Sequence, residues 1–297
     1  MIEQLTYLDI LRLAGDKLKS LKKRNVDVVD ILKPEDIEYA VQLSKVVSKL
    51  SPLIGNMIEY SIVSMLNEIQ WGVLGKWERQ DPGFPDAIFR SEYLEIDPGI
   101  EIKAWFPLAT EITARFKESV KLFNNNHIDV AIVAWLPDHI IWGKPQIIDT
   151  LVVSAKSVAE ARDKHYHKPP EYIVFEPEDT AHRTSNLQQT NTNGYKLQED
   201  KCNAVEARQL VQSWGESALN YSPEVEYQKK LQELQSRFNY RLDTNYAKVD
   251  RIEHPEIEAF KKNVLSKQLF GCSIKKWFSI LSSRDDSVIK AALNRLI

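Results

Sequence analysis

Between residues 73 and 154 the chain is built from short runs rich in Val, Ile, Phe and Trp, broken by Pro and Gly. Such runs are too brief for stable helices, and β-branched and aromatic side chains suit a pleated, half-buried surface. Strands are predicted near 84–90, 92–96, 100–106, 128–136, 139–142 and 147–153, with a helix near 108–124 between two of them. Upstream the spacing is helical. Residues 4–23 place Leu5, Leu8, Ile10, Leu11, Leu13 and Leu18 at helical intervals. Pro34, followed by Glu35 and Asp36, predicts a second helix running to about Leu50. LIGNMIEYSIVSMLNEIQ predicts a third over 53–70. Downstream come a helix near 156–164 and one more strand in EYIVFEP. Strands alternating with helices after a helical opening imply a mixed α/β core, a mixed sheet flanked by helices.

The chain of 297 residues is 43% hydrophobic and 27% charged, enough for one large core or two closely packed ones. A formal net charge of -3 excludes a uniformly basic nucleic-acid coat. It does not exclude a local basic cleft, because binding depends on where charges sit. Two cysteines, Cys202 and Cys272, supply neither a disulfide framework nor a cysteine-rich zinc site. The first residues lack a signal-peptide apolar run, and no stretch approaches the roughly 20 apolar residues of a membrane span. A soluble, cytoplasmic protein without a membrane partner is expected.

Three segments are expected: an N-terminal helical one (1–52), a central α/β core (53–203) and a helical C-terminal region (204–297). Within the core, residues 179–203 are polar, amide-rich and nearly free of aliphatic side chains, which predicts a long loop or an irregular hairpin turning at Asn193-Gly194. A loop that long inside a compact domain is uncommon unless functional or disordered.

The segment with the clearest chemistry is PDAIFRSEYLEIDPGIEIKAWF, residues 85–106. Asp86 opens one strand, Asp97-Pro98-Gly99 is a turn, and Gly99–Trp105 is the next strand. Alternate strand residues share a face, so Glu101 and Lys103 point one way while Ile100, Ile102 and Ala104 point into the core. If the two strands pair, Asp86 comes alongside Glu101. Two carboxylates form a hard oxygen site suited to Mg²⁺, which keeps waters and takes substrate phosphate oxygens. A lysine beside them positions or helps deprotonate the attacking water and stabilises transition-state charge. The carboxylates favour its charged form, which makes general-base action the less secure of these roles. An E-x-K tripeptide on an exposed strand is more often a solvated ion pair. Its apolar strand and the Pro-Asp about fifteen residues upstream weigh against that here.

Pro85-Asp86 followed by Glu101-Ile102-Lys103 resembles the PD-(D/E)xK nuclease superfamily, and the chain looks like a type II restriction endonuclease. The resemblance covers about residues 53–136. It implies a restriction-endonuclease-like core, catalysis by Asp86, Glu101 and Lys103, and Mg²⁺ held by Asp86 and Glu101, as one or two ions. An acidic residue on the preceding helix supports the metal in that superfamily, and Glu59 matches that place loosely. The expected partner is double-stranded DNA, cut by a homodimer whose two-fold axis matches a palindromic site. A companion DNA methyltransferase would be a separate protein. A repair or nicking nuclease on the same core, a non-catalytic DNA-binding protein and an unrelated binding module remain as alternatives.

Read as a DNA enzyme, the chain offers two further groups. Arg115 and Lys117, on the helix after the motif strand, would contact phosphates, which position a duplex without reading sequence. Arg183, Asn186, Gln188, Gln189, Asn191, Asn193 and Lys196 lie in the amide-rich loop. Asn and Gln pair with adenine edges in the major groove, and Arg or Lys with guanine. Solvated helix and loop surfaces are the plain alternatives for both groups. From Phe260 onward basic residues outnumber acidic ones by eight to two, so the C-terminal end is a further candidate for backbone contact.

Overall fold

The computed structural model describes residues 5–80, 83–108, 125–166, 173–176, 195–198, 204–219, 224–237, 241–242 and 254–297. They fall into two compact units. One holds the described residues up to 108, those from 125 to 158 and those from 254 to the end; the other holds the described residues between 159 and 242.

The first unit opens on helices α1 (Tyr7–Ser20), α2 (Ile37–Val46) and α3 (Ser51–Asn67), with a 3-10 turn at Val47–Leu50. The starts of α1 and α2 are set by side chains that satisfy orphan backbone N–H groups. Thr6 and Asp9 form a reciprocal capping box at α1. The Asp36 carboxylate accepts from the Tyr39 N–H at 2.7 Å, so α2 begins at that cap and not at Pro34.

A five-stranded mixed sheet follows in spatial order β1 (Lys76–Arg79), β2 (Ala87–Arg90), β3 (Gly99–Trp105), β4 (Ile128–Pro137) and β5 (Pro145–Ser154). Only β3 and β4 run parallel; the other neighbours are antiparallel. A parallel pair needs a long crossover, and residues 106–127 provide it. The helix expected near 108–124 falls almost wholly outside the described residues.

Helices α1 and α3 pack against the sheet face that carries Ile100, Ile102 and Ala104. A β-carbon at Gly55 of α3 would touch Ala104 at 3.4 Å. Trp71, Trp77 and Phe89 meet edge-on or tilted, with centroids 5.6–5.9 Å apart, and close one end of this layer. On the opposite face, Trp105 meets Phe260 of α7 (Pro255–Ser266) with ring centroids 6.0 Å apart. The Asp149 Oδ2 atom of β5 takes Lys267 at 2.8 Å, Asn263 at 3.1 Å and Lys22 at 3.5 Å. Helices flank both faces, and the unit is mixed α/β.

Several strand expectations need correction. Residues 92–96 form turns, with Arg90 bonded to Asp97 at 2.6 Å across them. Residues 139–142 are the tip between β4 and β5. Ile140 and Ile141 are fully buried there, and Ile140 sits at φ 70°. β1 was not anticipated. The C-terminal region is not wholly helical: a two-stranded hairpin, β9 (Gln268–Leu269) with β10 (Cys272–Ser273), precedes α8 (Ile274–Leu281) and α9 (Asp286–Leu293). α9 returns to α2, where Lys45 meets Asp286 at 2.7 Å and Lys290 meets Glu38.

In the second unit, β6 (Ile173–Glu176), β7 (Tyr195–Gln198) and β8 (Arg241–Leu242) form a small sheet, joined by α5 (Ala204–Ser213) and α6 (Val225–Arg237). Helix α4 (Ala155–Tyr166) leads from the first unit into it. The strand expected in EYIVFEP is β6. β7 interrupts the long loop expected over 179–203, and it pairs parallel with β6 and antiparallel with β8. Among the described residues of the chain, no helix is long and apolar enough to cross a membrane.

One buried charge in the first unit gives a pH prediction. Asp129 of β4 pairs in register with Ile100, on the face covered by α1. Burial pushes its pKa up to about 6, against a smaller opposing pull from Lys19. Between about pH 4 and 6 the folded chain holds this proton and the unfolded chain does not, so rising pH through that window costs stability. Asp129→Asn mimics the neutral acid. Urea unfolding is expected to show it about 1–3 kcal/mol more stable than the parent at pH 7.5 and no more stable at pH 4. An equal gain at both values would assign the effect to something other than this proton.

Candidate active site

The β2–β3 pairing aligns Ala87 with Ile100 and Ile88 with Gly99. Continuing that antiparallel register puts Asp86 opposite Glu101. Asp86 and β3 then clasp one another. The Asp86 N–H donates to Glu101 Oε2 at 3.1 Å, and the Ile102 N–H donates to Asp86 Oδ2 at 2.7 Å. The Asp86 side chain thereby takes the place of a backbone carbonyl in the ladder, where the chain turns away at Pro85. These bonds fix both carboxylates before any ligand arrives.

Gly99 is what allows this close approach. A β-carbon there would fall 2.3 Å from Pro85 Cγ and 3.3 Å from the Ala87 carbonyl oxygen. A proline ring cannot swing aside as a long side chain does. Gly99→Ala is therefore expected to destabilise the fold by about 1–3 kcal/mol in denaturant unfolding, and to lower activity by displacing Asp86. A variant of parental stability would mean that the Pro85 turn yields freely.

Lys103 completes the cluster. Its Nζ lies 2.5 Å from Glu101 Oε1 and 3.5 Å from Asp86 Oδ2. Glu101 is 8% exposed, so it is buried and does not face open solvent as strand alternation alone would suggest. Burial raises the Glu101 pKa above the usual carboxylate range, against the pull of Lys103. For Lys103 burial acts downward, but the Glu101 and Asp86 charges and hydrogen bonds outweigh it and its pKa is raised. Lys103 is therefore an ammonium at neutral pH. That suits electrostatic stabilisation or proton donation and opposes a general-base role.

Glu59 stands apart from these three. It projects from α3, and its Oε1 accepts from Arg79 Nε of β1 at 2.9 Å. Burial and then the Asp86 charge raise its pKa, while Arg79 and Lys103 lower it. It therefore feels the cluster electrostatically. Among the described residues, however, no group of three or more His, Cys, Asp or Glu side chains is placed to hold a metal ion. The expected three-carboxylate set is not assembled here. Arg79 is the neighbour that sequence reasoning missed, because β1 has only four residues and the one cue was Trp77 and Arg79 sharing a strand face.

The two central carboxylates do fit Mg²⁺. Magnesium binds through one or two carboxylates plus water and phosphate oxygens, and does not need a full protein cage. Asp86 and Glu101 provide hard oxygen donors, and both now pair with the Lys103 ammonium.

Arg115 and Lys117 lie outside the described residues, as do Arg183, Asn186, Gln188, Gln189, Asn191 and Asn193. Lys196 is described only as a backbone position in β7, aligned with Val174 and Arg241. It belongs to a strand and not to the loop expected there. No family model, curated protein or solved structure matches the chain.

Proposed function

We propose that this chain is a Mg²⁺-dependent, sequence-specific endonuclease of double-stranded DNA, of the type II restriction kind, on a PD-(D/E)xK core. The observation that carries the proposal is the meeting of Asp86, Glu101 and Lys103, from two paired strands, in one half-buried cluster. Asp86 and Glu101 would hold the metal. When bound, Mg²⁺ supplies charge neutralisation at the phosphodiester and makes water more acidic.

The residues themselves account for the rest. The Asp86–Ile102 and Glu101–Asp86 bonds hold the carboxylates in place, so no reorganisation is needed when substrate arrives. Lys103, fixed as an ammonium, stabilises the charge that builds on the phosphate oxygens. Glu59, paired with Arg79, lies within electrostatic reach of Asp86 and is the further acidic residue that would support the metal from α3.

The test is digestion of a plasmid of known sequence with Mg²⁺ and with EDTA, followed by mapping of the ends. Discrete fragments that need Mg²⁺ support a restriction enzyme. Random nicking points to a repair nuclease on the same core, and no cleavage removes the enzymatic reading. On DNA the active form is proposed to be a homodimer. Sedimentation as a monomer, both free and on its cleaved duplex, would count against that.

A further inference from the structure

Resting on the nuclease reading above, we propose that a cleft beside Asp86 receives one nucleobase of the strand whose phosphate lies at Lys103. The cleft has a volume of about 340 Å³ and is lined by Phe84, Pro85, Ile88, Asp97, His127 and Ile128. That lies at the small end of ligand sites, which run from about 300 to 1,000 Å³.

Its origin is visible in the register. Ile88, Gly99 and Ile128 form one row across β2, β3 and β4. Gly99 contributes no side chain, and the Pro85 ring takes the space its Cβ would fill, forming the floor of the cleft between the two isoleucines. Glu101 is two residues along β3 on the same face. Rows so related are roughly 6.6 Å apart. A nucleotide with its phosphate at Glu101 and Lys103 therefore has the neighbouring row within reach of its base.

The lining fits a flat heteroaromatic ring. Phe84, Pro85, Ile88 and Ile128 provide apolar walls, and stacking on such walls is tolerant of base identity. Asp97 and His127 provide the polar edge. Arg90 fixes the Asp97 carboxylate through Oδ2 at 2.6 Å, and an ionised carboxylate retains further acceptor sites. Such an acceptor favours a base with an exocyclic amino group, cytosine or adenine, over thymine. Among the described residues the buried His127 Nδ1 has no hydrogen-bond partner. Burial lowers the His127 pKa, which favours the neutral ring. Nδ1 has no open surface, so His127 lines the cleft with the remainder of its ring.

The test uses the full-length protein with Ca²⁺ and titrates dCMP, dAMP, TMP and deoxyribose 5-phosphate, followed by calorimetry or ligand-observed NMR. dCMP and dAMP are expected to bind at least tenfold more tightly than deoxyribose 5-phosphate, with TMP between. Ile88→Trp fills the cleft and should bring dCMP down to the affinity of deoxyribose 5-phosphate, itself unchanged. Phe84→Ala removes a wall and should weaken dCMP at least threefold, which covers the case of a poorly folded Ile88→Trp. Asp97→Leu should abolish the preference for dCMP over TMP. Equal binding of dCMP and deoxyribose 5-phosphate to the parent overturns the proposal, as does a folded Ile88→Trp that keeps the difference. Plasmid cleavage by the same preparation separates the two readings. Cleavage without base-dependent binding overturns the cleft alone. Base-dependent binding without cleavage supports the cleft and overturns the nuclease.

Discussion

Replacing Lys103 by alanine is expected to lower the proposed Mg²⁺-dependent cleavage by about a thousandfold or more, and Asp86→Ala to do the same with weaker metal binding. A single preorganised group aimed at transition-state charge contributes about 10²–10³ in rate, and Lys103 also balances two carboxylates. The loss should not stop at activity. Glu101 is buried, and Lys103 is its nearest cation, so the alanine variant strands a buried carboxylate. Breaking a buried pair from one side costs about 3–5 kcal/mol. The pH dependence identifies the stranded group. The Glu101 pKa is already raised by burial with Lys103 present, and losing that attraction raises it further. A raised carboxylate keeps its proton in the folded chain at pH values where the unfolded chain has released it. Stability of the variant should thus fall more steeply than that of the parent as pH rises from 5 to 8. Urea unfolding at both values, beside plasmid cleavage, measures both effects. A stability difference that does not change with pH would mean that Glu101 is not the group left unpaired.

Some of this was legible in the sequence, and the limits have physical causes. Strand alternation put Glu101 and Lys103 on one face, and the Pro-Asp spacing put Asp86 within reach, because both are local consequences of a period of two. The burial of Glu101 was not legible. The sheet face it occupies also carries Trp105, which packs on Phe260 from far along the chain. No local pattern announces such a contact. Ile140, Ile141 and Trp142 read as a strand because they are apolar, but they are buried in a turn with Ile140 at φ 70°. Burial and extension are separate properties, and hydrophobicity reports only the first. The caps at Thr6 and Asp36 were not read from the sequence: apolar spacing alone set the first helix, and Pro34 drew the second helix boundary too early. Gly99 appeared as the end of a turn and the start of a strand. Its requirement for the Pro85 ring is a contact across strands, which the spacing alone does not express.

The complementary experiment removes both charges at once. Glu101→Gln with Lys103→Met keeps the size of each side chain and deletes the buried ion pair. The Gln side-chain oxygen still accepts from the Asp86 N–H, so the clasp on Asp86 survives. Replacing buried ion pairs by neutral groups of similar volume is often neutral or stabilising, by about 1–4 kcal/mol. The double variant is therefore expected to be at least as stable as the parent at pH 7.5, while Lys103→Ala alone is several kcal/mol less stable and neither cleaves DNA. Its stability should also lose the pH dependence due to Glu101, since the amide does not titrate. That combination, stability recovered and activity absent, is what a cluster retained for chemistry predicts, because functional sites keep charges that the fold alone would discard. Should the double variant prove as unstable as the single one, the cluster is a structural tie between β2 and β3, and the case for catalysis at Lys103 loses its main support.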